Sequence, residues 1–182
     1  YGKKVKDSKK GGYGNISVAK AFEVSSNTGI VKAIHNAYKE NPQKFVDGLY
    51  RMNLKDSLGL PLIGEGKSII PDPRIKNGRW SGIALQWMAY GYGVSFTPLQ
   101  TLTFYNAIAN DGVMVRPKFL REIKEIDTSI ETFSTEVINP RICSEETVLK
   151  LQQLLKNVVE KEHGTGHGLY SDKFSMAGKT GT

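Results

Sequence analysis

The chain has 182 residues, 39% of them hydrophobic and 24% charged, which is ordinary for a single globular domain with its own core. No apolar run approaches the ~18 residues that a membrane-spanning helix needs, and no signal-peptide pattern opens the sequence. The net charge of +7 is typical of nucleic-acid binding, but the basic excess is concentrated in an opening run without interleaved aromatic residues. We therefore predict no nucleic-acid partner, and the single Cys143 excludes an internal disulfide.

Short helical patterns dominate the first third of the chain. The sequence predicts a helix over residues 16–24, a second with apolar residues recurring from Ile30 to Tyr38, and a third that opens at Pro42. The third helix should bury Phe45, Val46 and Leu49. Residues 55–80 are rich in glycine, proline and charge, which predicts a long loop.

The middle of the chain predicts a helix with clear boundaries, followed by a strand. Thr97 can cap the helix, Pro98 fits its first turn, and Asn110-Asp111-Gly112 should end it. Its expected buried face is Leu99, Leu102, Tyr105, Ile108 and Ala109. Residues 113–120 predict a strand that Pro117 confines to a sheet edge.

A second strong helix is predicted from Ser144 to about Lys161. Its apolar stripe is Val148, Leu151, Leu154, Leu155, Val158 and Val159. The next residues, 163–168, contain two histidines without a third ligand nearby, so we predict a turn and no metal site. Alternation around Phe174 and Met176 then predicts a final strand.

The final residues, Gly178-Lys179-Thr180-Gly181-Thr182, combine a charge, two hydroxyls and glycine, which favours a site for a small anion. A nucleotide-binding phosphate loop would require glycine at position 173, where this chain has Lys173. The alternative is the Lys-Thr-Gly motif of serine enzymes that react with penicillin. A polar strand end without function is also compatible with so short a string.

Five further strings decide between these alternatives because they occur in a fixed order. They are Ser25-Ser26-Asn27, Tyr90-Gly91-Tyr92-Gly93, Thr97-Pro98-Leu99-Gln100, residues 107–112 and Gly164-Thr165-Gly166. With the final motif, they resemble the transpeptidase domain of class B penicillin-binding proteins, particularly the division-specific branch, from Gly14 to Thr182. The resemblance implies an α/β fold shared with serine β-lactamases, in which helices flank an antiparallel sheet beside an all-helical part.

The resemblance also implies a function. Such enzymes are peptidoglycan D,D-transpeptidases, which cross-link stem peptides ending in D-Ala-D-Ala through a serine acyl-enzyme and react with β-lactams without a cofactor. The expected partners are stem peptides, β-lactam antibiotics and proteins of cell division or cell-wall synthesis. The expected location is the outer, periplasmic face of the bacterial cytoplasmic membrane, through an anchor outside this chain.

Roles carried over from the resemblance fall on the two motifs. Ser25 would relay a proton and Asn27 would hold the substrate's backbone amide, while Lys179 would attract the terminal carboxylate. Thr180 and Thr182 would contact that carboxylate, the Thr182 amide would serve the oxyanion hole, and Gly181 would leave room for the ester. Ser25 and Asn27 are also compatible with a simple helix-capping role.

The nucleophile of the expected Ser-x-x-Lys motif is missing from its usual distance before Ser25. Ser17-Val18-Ala19-Lys20 has the right letters but stands too close to Ser25, so we predict no catalytic role for it. A start without methionine and an end on a motif predict a partial domain, truncated at both ends, that is inactive alone and marginally stable. Three alternatives remain: a β-lactam-sensing or non-catalytic relative, a D,D-carboxypeptidase or β-lactamase that passes the acyl group to water, and, more distantly, a basic nucleic-acid or nucleotide-binding module.

Overall fold

The structure is a computed structural model that describes residues 4–76 and 78–181. Its helices are α1 (Val18–Glu23), α2 (Asn27–Tyr38), α3 (Pro42–Arg51), α4 (Ala84–Met88), α5 (Pro98–Ala109) and α6 (Glu145–Glu160). Its strands are β1 (Met114–Val115), β2 (Glu122–Glu125), β3 (Thr128–Thr132) and β4 (Val137–Asn139), and a 3-10 turn covers His167–Leu169. None of the described helices combines the length and apolarity of a membrane span.

Contacts within the chain define two compact units. The first comprises Tyr1–Asp47, Ile70–Val94 and Leu149–Thr182, and the second comprises Gly48–Ile69 and Ser95–Val148. The buried apolar residues of the first unit are Ala21, Val24, Val46, Ala84, Leu85, Met88, Leu155, Val158 and Val159. Those of the second are Leu54, Leu58, Ala107, Ile108, Met114, Ile142 and Val148.

In the first unit, α1 and α2 pack closely around a glycine. The Ser17 hydroxyl caps α1 by accepting a hydrogen bond from the Lys20 amide at 3.1 Å, which gives Ser17 a structural role. A Cβ added to Gly29 in α2 would lie 2.7 Å from the Ala21 Cβ, so only glycine permits this approach of the two helices. The predicted helices over residues 16–24, 30–38 and from Pro42 are therefore confirmed.

In the second unit, α5 begins and ends as its sequence predicts. Thr97 and Gln100 form a capping box, in which the Gln100 amide donates to the Thr97 hydroxyl at 3.1 Å. The predicted buried face is right at Ile108, which is 4% exposed, but wrong at Leu102, Tyr105 and Ala109, which are exposed. Besides Ile108, the helix buries Gln100, Thr103 and Ala107, which were not predicted. The apolar residues of α5 are distributed around the helix, so their spacing does not identify the side that packs against the rest of the unit.

Antiparallel strand pairing in the described residues forms two two-stranded sheets, and an isolated antiparallel bridge joins Ile69 and Ser95. In one, β1 pairs with β4 through Met114–Asn139 and Val115–Val137, so the strand predicted over residues 113–120 is present only at Met114–Val115. The other is an exposed hairpin of β2 and β3, which the sequence did not predict. The strand predicted around Phe174 and Met176 is wrong, because this segment has no strand partner among the described residues.

The segment that leads to the final motif is held by α6 instead of by a sheet. The Gly178 amide donates to the Leu155 carbonyl at 3.1 Å, and the Ser175 hydroxyl donates to Glu160 Oε1 at 2.8 Å. These two bonds fix where the chain enters the motif. The helix itself follows its predicted stripe, since Val148, Leu155, Val158 and Val159 are all buried.

Candidate active site

Ser25 lies in the tight turn between α1 and α2, in the first unit. Its φ of +51° is in the left-handed region, which costs a residue with a Cβ about 1–2 kcal/mol. The turn is held by Ser26, whose amide donates to the Ala21 carbonyl at 2.8 Å. The Ser26 hydroxyl accepts from the Gly29 amide at 3.0 Å and thereby caps α2. The capping role proposed for Ser25 and Asn27 therefore belongs to the serine between them, which leaves the Ser25 hydroxyl available.

The Ser25 hydroxyl receives a hydrogen bond from Lys179 Nζ, although 154 residues separate the two. Lys179 Nζ also donates to the Thr180 carbonyl at 3.2 Å and lies 5.7 Å from the centre of the Phe22 ring. Burial lowers the pKa of Lys179, because it penalises the charged ammonium. The two motifs found in the sequence thus meet at one side-chain contact.

Thr180 joins the same cluster through its hydroxyl. Thr180 Oγ1 lies 3.0 Å from Ser25 Oγ and 2.8 Å from Thr165 Oγ1, in the Gly-Thr-Gly string. Three hydroxyls and one ammonium group therefore form a continuous hydrogen-bonded array. Such an array can bind an anionic group and can transfer protons between neighbours.

Asn27 points to a different neighbour. Its Nδ2 donates to the Lys6 carbonyl at 3.0 Å, and Asp7 beside it accepts from the Thr28 amide at 2.9 Å and the Thr28 hydroxyl at 2.6 Å. Burial alone would raise the pKa of Asp7, but the hydrogen bonds from Thr28 and Ser26 outweigh burial and lower it. The segment around Asp7 thus braces the start of α2.

A buried carboxylate, which sequence reasoning missed, lies behind the cluster. Glu23 is 2% exposed, and its Oε1 accepts from Asn157 Nδ2 and Lys161 Nζ, each at 2.8 Å, while its Oε2 lies 2.6 Å from His163 Nε2. Burial alone would raise the pKa of Glu23, but hydrogen bonds from Lys161, His163 and Asn157 and the Lys161 charge lower it to about 2. No local pattern could reveal this ion pair, because its partners are 134 to 140 residues away.

Glu23 also fixes the Gly-Thr-Gly string through its main chain. The Glu23 carbonyl accepts from the Thr165 amide at 3.1 Å, and the Gly166 amide donates to the Val158 carbonyl at 2.9 Å. A Cβ on Gly164 would collide with that same Val158 carbonyl, so glycine is required at this position. The sequence string is thereby explained as a close packing of loop against helix.

The remaining predicted site residues contribute less to the described geometry. A Cβ built on Gly181 would meet no atom within 4 Å, so the space beside it is open. Thr182, predicted as a carboxylate and oxyanion contact, lies outside the described residues. Among the residues that the structure describes, no three histidine, cysteine or acidic side chains form a cluster suited to a metal ion.

Comparison with known proteins gives the same result as the ordered motifs. Residues 1–182 match the penicillin binding protein transpeptidase domain model. The penicillin-binding protein PbpB of Mycobacterium tuberculosis is 32% identical over 169 residues, which are 88% of this chain and 23% of that protein. The probable peptidoglycan D,D-transpeptidase PenA of Neisseria meningitidis is 28% identical over 170 residues, which are 93% of this chain and 26% of that protein.

A solved structure extends the comparison to the fold. Penicillin binding protein 3 from Mycobacterium tuberculosis, complexed with ampicillin, superposes with a TM-score of 0.69 at 29% identity, over 90% of this chain and 35% of that one. The chain spans about a quarter of the length of each of the two sequence relatives, PbpB and PenA. The predicted transpeptidase fold is confirmed. The chain belongs to the penicillin-binding protein transpeptidase family.

Proposed function

We propose that the chain is part of a peptidoglycan D,D-transpeptidase of the division-specific class B type, which cross-links stem peptides through a serine acyl-enzyme and reacts with β-lactams. The observation that carries this proposal is the contact between Lys179 Nζ and Ser25 Oγ, since it unites the two motifs that this chemistry requires. The family membership and the name of the Neisseria relative support the same activity.

In the proposed reaction, a serine oxygen bonds to the carbonyl carbon of the penultimate D-alanine. The peptide bond to the last D-alanine breaks, and that residue leaves with a proton on its amine. The amine of a second stem peptide then attacks the ester, which forms the cross-link and returns the serine hydroxyl. The amide of a β-lactam ring is opened by the same first step.

Ser25 is proposed to relay the proton in these steps, because it accepts a hydrogen bond from Lys179 while keeping its own proton to donate. The lowered pKa of Lys179 supports this role, since its ammonium gives up a proton more readily. Lys179 and Thr180 would also receive the terminal carboxylate of the substrate, together with Thr182. The Thr182 amide would supply one oxyanion donor, and Gly181 would leave space for the ester.

Asn27 is proposed to hold the backbone amide of the substrate. In the structure the Asn27 side-chain amide donates to the Lys6 main-chain carbonyl. A main-chain carbonyl of the substrate would accept the same hydrogen bond in its place. The nucleophile is proposed to lie outside residues 1–182. These residues are proposed to form a partial domain that is inactive alone. The proposed partners are D-Ala-D-Ala stem peptides and proteins of cell division or cell-wall synthesis, at the periplasmic face of the cytoplasmic membrane.

Labelling with a fluorescent penicillin tests the proposal. We expect residues 1–182 alone to remain unlabelled and an N-terminally extended protein to be labelled, with mass spectrometry locating the adduct on a serine in the added part. In the extended protein, Lys179→Ala should slow labelling about a hundredfold, the effect of removing one pre-organised donor, whereas the exposed Lys173→Ala should not. An adduct on Ser17, or no labelling of either protein, would contradict the proposal.

A further inference from the structure

Three hydroxyl groups lie in a row between a group that can only donate and a group that can only accept. Lys179 Nζ donates to Ser25 Oγ, which lies 3.0 Å from Thr180 Oγ1. Thr180 Oγ1 lies 2.8 Å from Thr165 Oγ1, and the Thr165 hydroxyl donates to the Glu23 carbonyl over 3.5 Å. The row therefore begins at an ammonium and ends at a main-chain oxygen.

The two ends determine the direction of every bond in the row. An ammonium has no acceptor site and a carbonyl oxygen has no proton, whereas each hydroxyl has one proton and two lone pairs. All four bonds form together only if Ser25 donates to Thr180, Thr180 donates to Thr165, and Thr165 donates to Glu23. In that arrangement a lone pair of Ser25 faces Lys179, and aligned bonds of this kind strengthen one another.

We propose that Thr165 is a positioning residue of the transpeptidase site, whose hydroxyl fixes the proton direction of this row and so keeps the Ser25 lone pair facing Lys179. The inference rests on the proposed function, in which Ser25 accepts a proton from Lys179 and passes its own forward. The substrate contacts proposed above do not include Thr165, which would act through the Thr180 hydroxyl.

Thr165 is exposed, but hydrogen bonds hold both its main chain and its side chain. Its amide donates to the Glu23 carbonyl at 3.1 Å, so main chain and side chain are directed to one residue. The carboxylate of that residue is bound by Lys161 and His163, which lie just before the loop. The Glu23 ion pair thus anchors the loop on one side, while the row of hydroxyls occupies the other.

Two substitutions of Thr165 distinguish the proposed role of its hydroxyl from a role in packing alone. Thr165→Val keeps the shape of the side chain, and Thr165→Ser keeps the hydroxyl. In the full-length protein, we expect Thr165→Val to slow acylation by penicillin about three- to tenfold, the factor for one neutral hydrogen bond. Thr165→Ser should react at close to the wild-type rate. Thr101→Val is the matched control, because the exposed Thr101 hydroxyl also donates to a main-chain carbonyl, at 3.3 Å.

A second measurement, the pKa of Lys179, tests the row of hydroxyls directly and does not depend on enzymatic activity. Lysine ε-carbons are labelled with 13C in the full-length protein, and the Lys179 signal is assigned by its loss in Lys179→Arg. Thr165→Val should lower the pKa of Lys179 further, because the ammonium loses an aligned acceptor. Thr165→Ser and Thr101→Val should leave it unchanged.

The two measurements together decide the inference. An unchanged Lys179 pKa in Thr165→Val overturns it, whether or not the protein reacts with penicillin. Equal slowing in Thr165→Val and Thr165→Ser also overturns it, since shape would then matter and the hydroxyl would not. If wild-type protein is not acylated, the proposed function fails, while the pKa comparison still determines whether the row exists.

Discussion

Replacing Glu23 by glutamine should remove a stabilising charge whose contribution depends on pH. Its pKa falls from 4.5 to about 2 on folding, chiefly because hydrogen bonds from Lys161, His163 and Asn157 outweigh the effect of burial. This lowering of the Glu23 pKa corresponds to about 3 kcal/mol of unfolding free energy. Since Glu23 is 2% exposed, little of this is screened by solvent.

The sign of the pH dependence follows from the lowered pKa. The ionised carboxylate is bound in the folded state, so its stabilisation is fully present above pH 4.5 and is lost as pH falls from 4.5 to about 2. Glu23→Gln cannot carry the charge at any pH. The free-energy difference between wild type and Glu23→Gln should therefore be about 3 kcal/mol at pH 7 and shrink towards zero near pH 2.

Urea denaturation at several pH values measures this difference. Glu40→Gln is the matched control, because the Glu40 side chain is 90% exposed and lies 3.8 Å from Lys39 Nζ, so its effect should be within a few tenths of a kcal/mol. A difference for Glu23→Gln that is small at pH 7, or that stays constant as pH falls, would refute the assignment of Glu23 as a bound, ionised carboxylate.

Three further substitutions test local packing by urea or thermal denaturation. Gly164→Ala should reduce the unfolding free energy by about 1–3 kcal/mol, because its Cβ would collide with the Val158 carbonyl, whereas Gly168→Ala meets open space and should be nearly neutral. Thr97→Ala should cost about 1 kcal/mol by removing the cap of α5, and an unchanged melting temperature would contradict that role. Gly48→Ala should instead add about 0.5–1 kcal/mol, because the nearest atom to its Cβ is 3.9 Å away and α3 is helical there; a loss of stability would show an unforeseen clash.

Features that depend on neighbours in sequence could be predicted from the sequence. The Thr97 cap and the turn at Gly112 follow from hydrogen bonds and backbone angles within a few residues, and both are present. The family could be recognised because its chemistry requires particular side chains in short strings. The Ser25–Lys179 contact follows from that recognition and could not be derived from spacing, since 154 residues separate the two.

Features that depend on tertiary packing were missed or wrong. In α5, Leu102 is exposed and Gln100 is buried, because the Gln100 side chain meets the N-cap amide of its own helix and the Asp56 carbonyl. The hairpin of β2 and β3 is exposed and rich in charge, so it lacks the apolar alternation that predicts strands. In the sequence, Glu23 cannot be distinguished from other helical glutamates, because only the fold brings Lys161 and His163 to its carboxylate.

The geometry of the site depends on hydrogen bonds between distant segments, here called tethers, more than on regular secondary structure. Ser25 adopts a left-handed conformation that a serine does not favour, so the surrounding bonds must hold it. Ser26 fixes the turn from the α2 side, Glu23 fixes the loop that carries Thr165, and the Gly178 amide fixes the approach to Lys179. Ser26 and Gly178 belong to the two motifs and hold them in place, through a helix cap and a main-chain bond to α6, whereas Glu23 lies outside the motifs, at the end of α1. Substitutions at these tethers should therefore alter the alignment of Ser25 and Lys179 at a stability cost that leaves the helices folded.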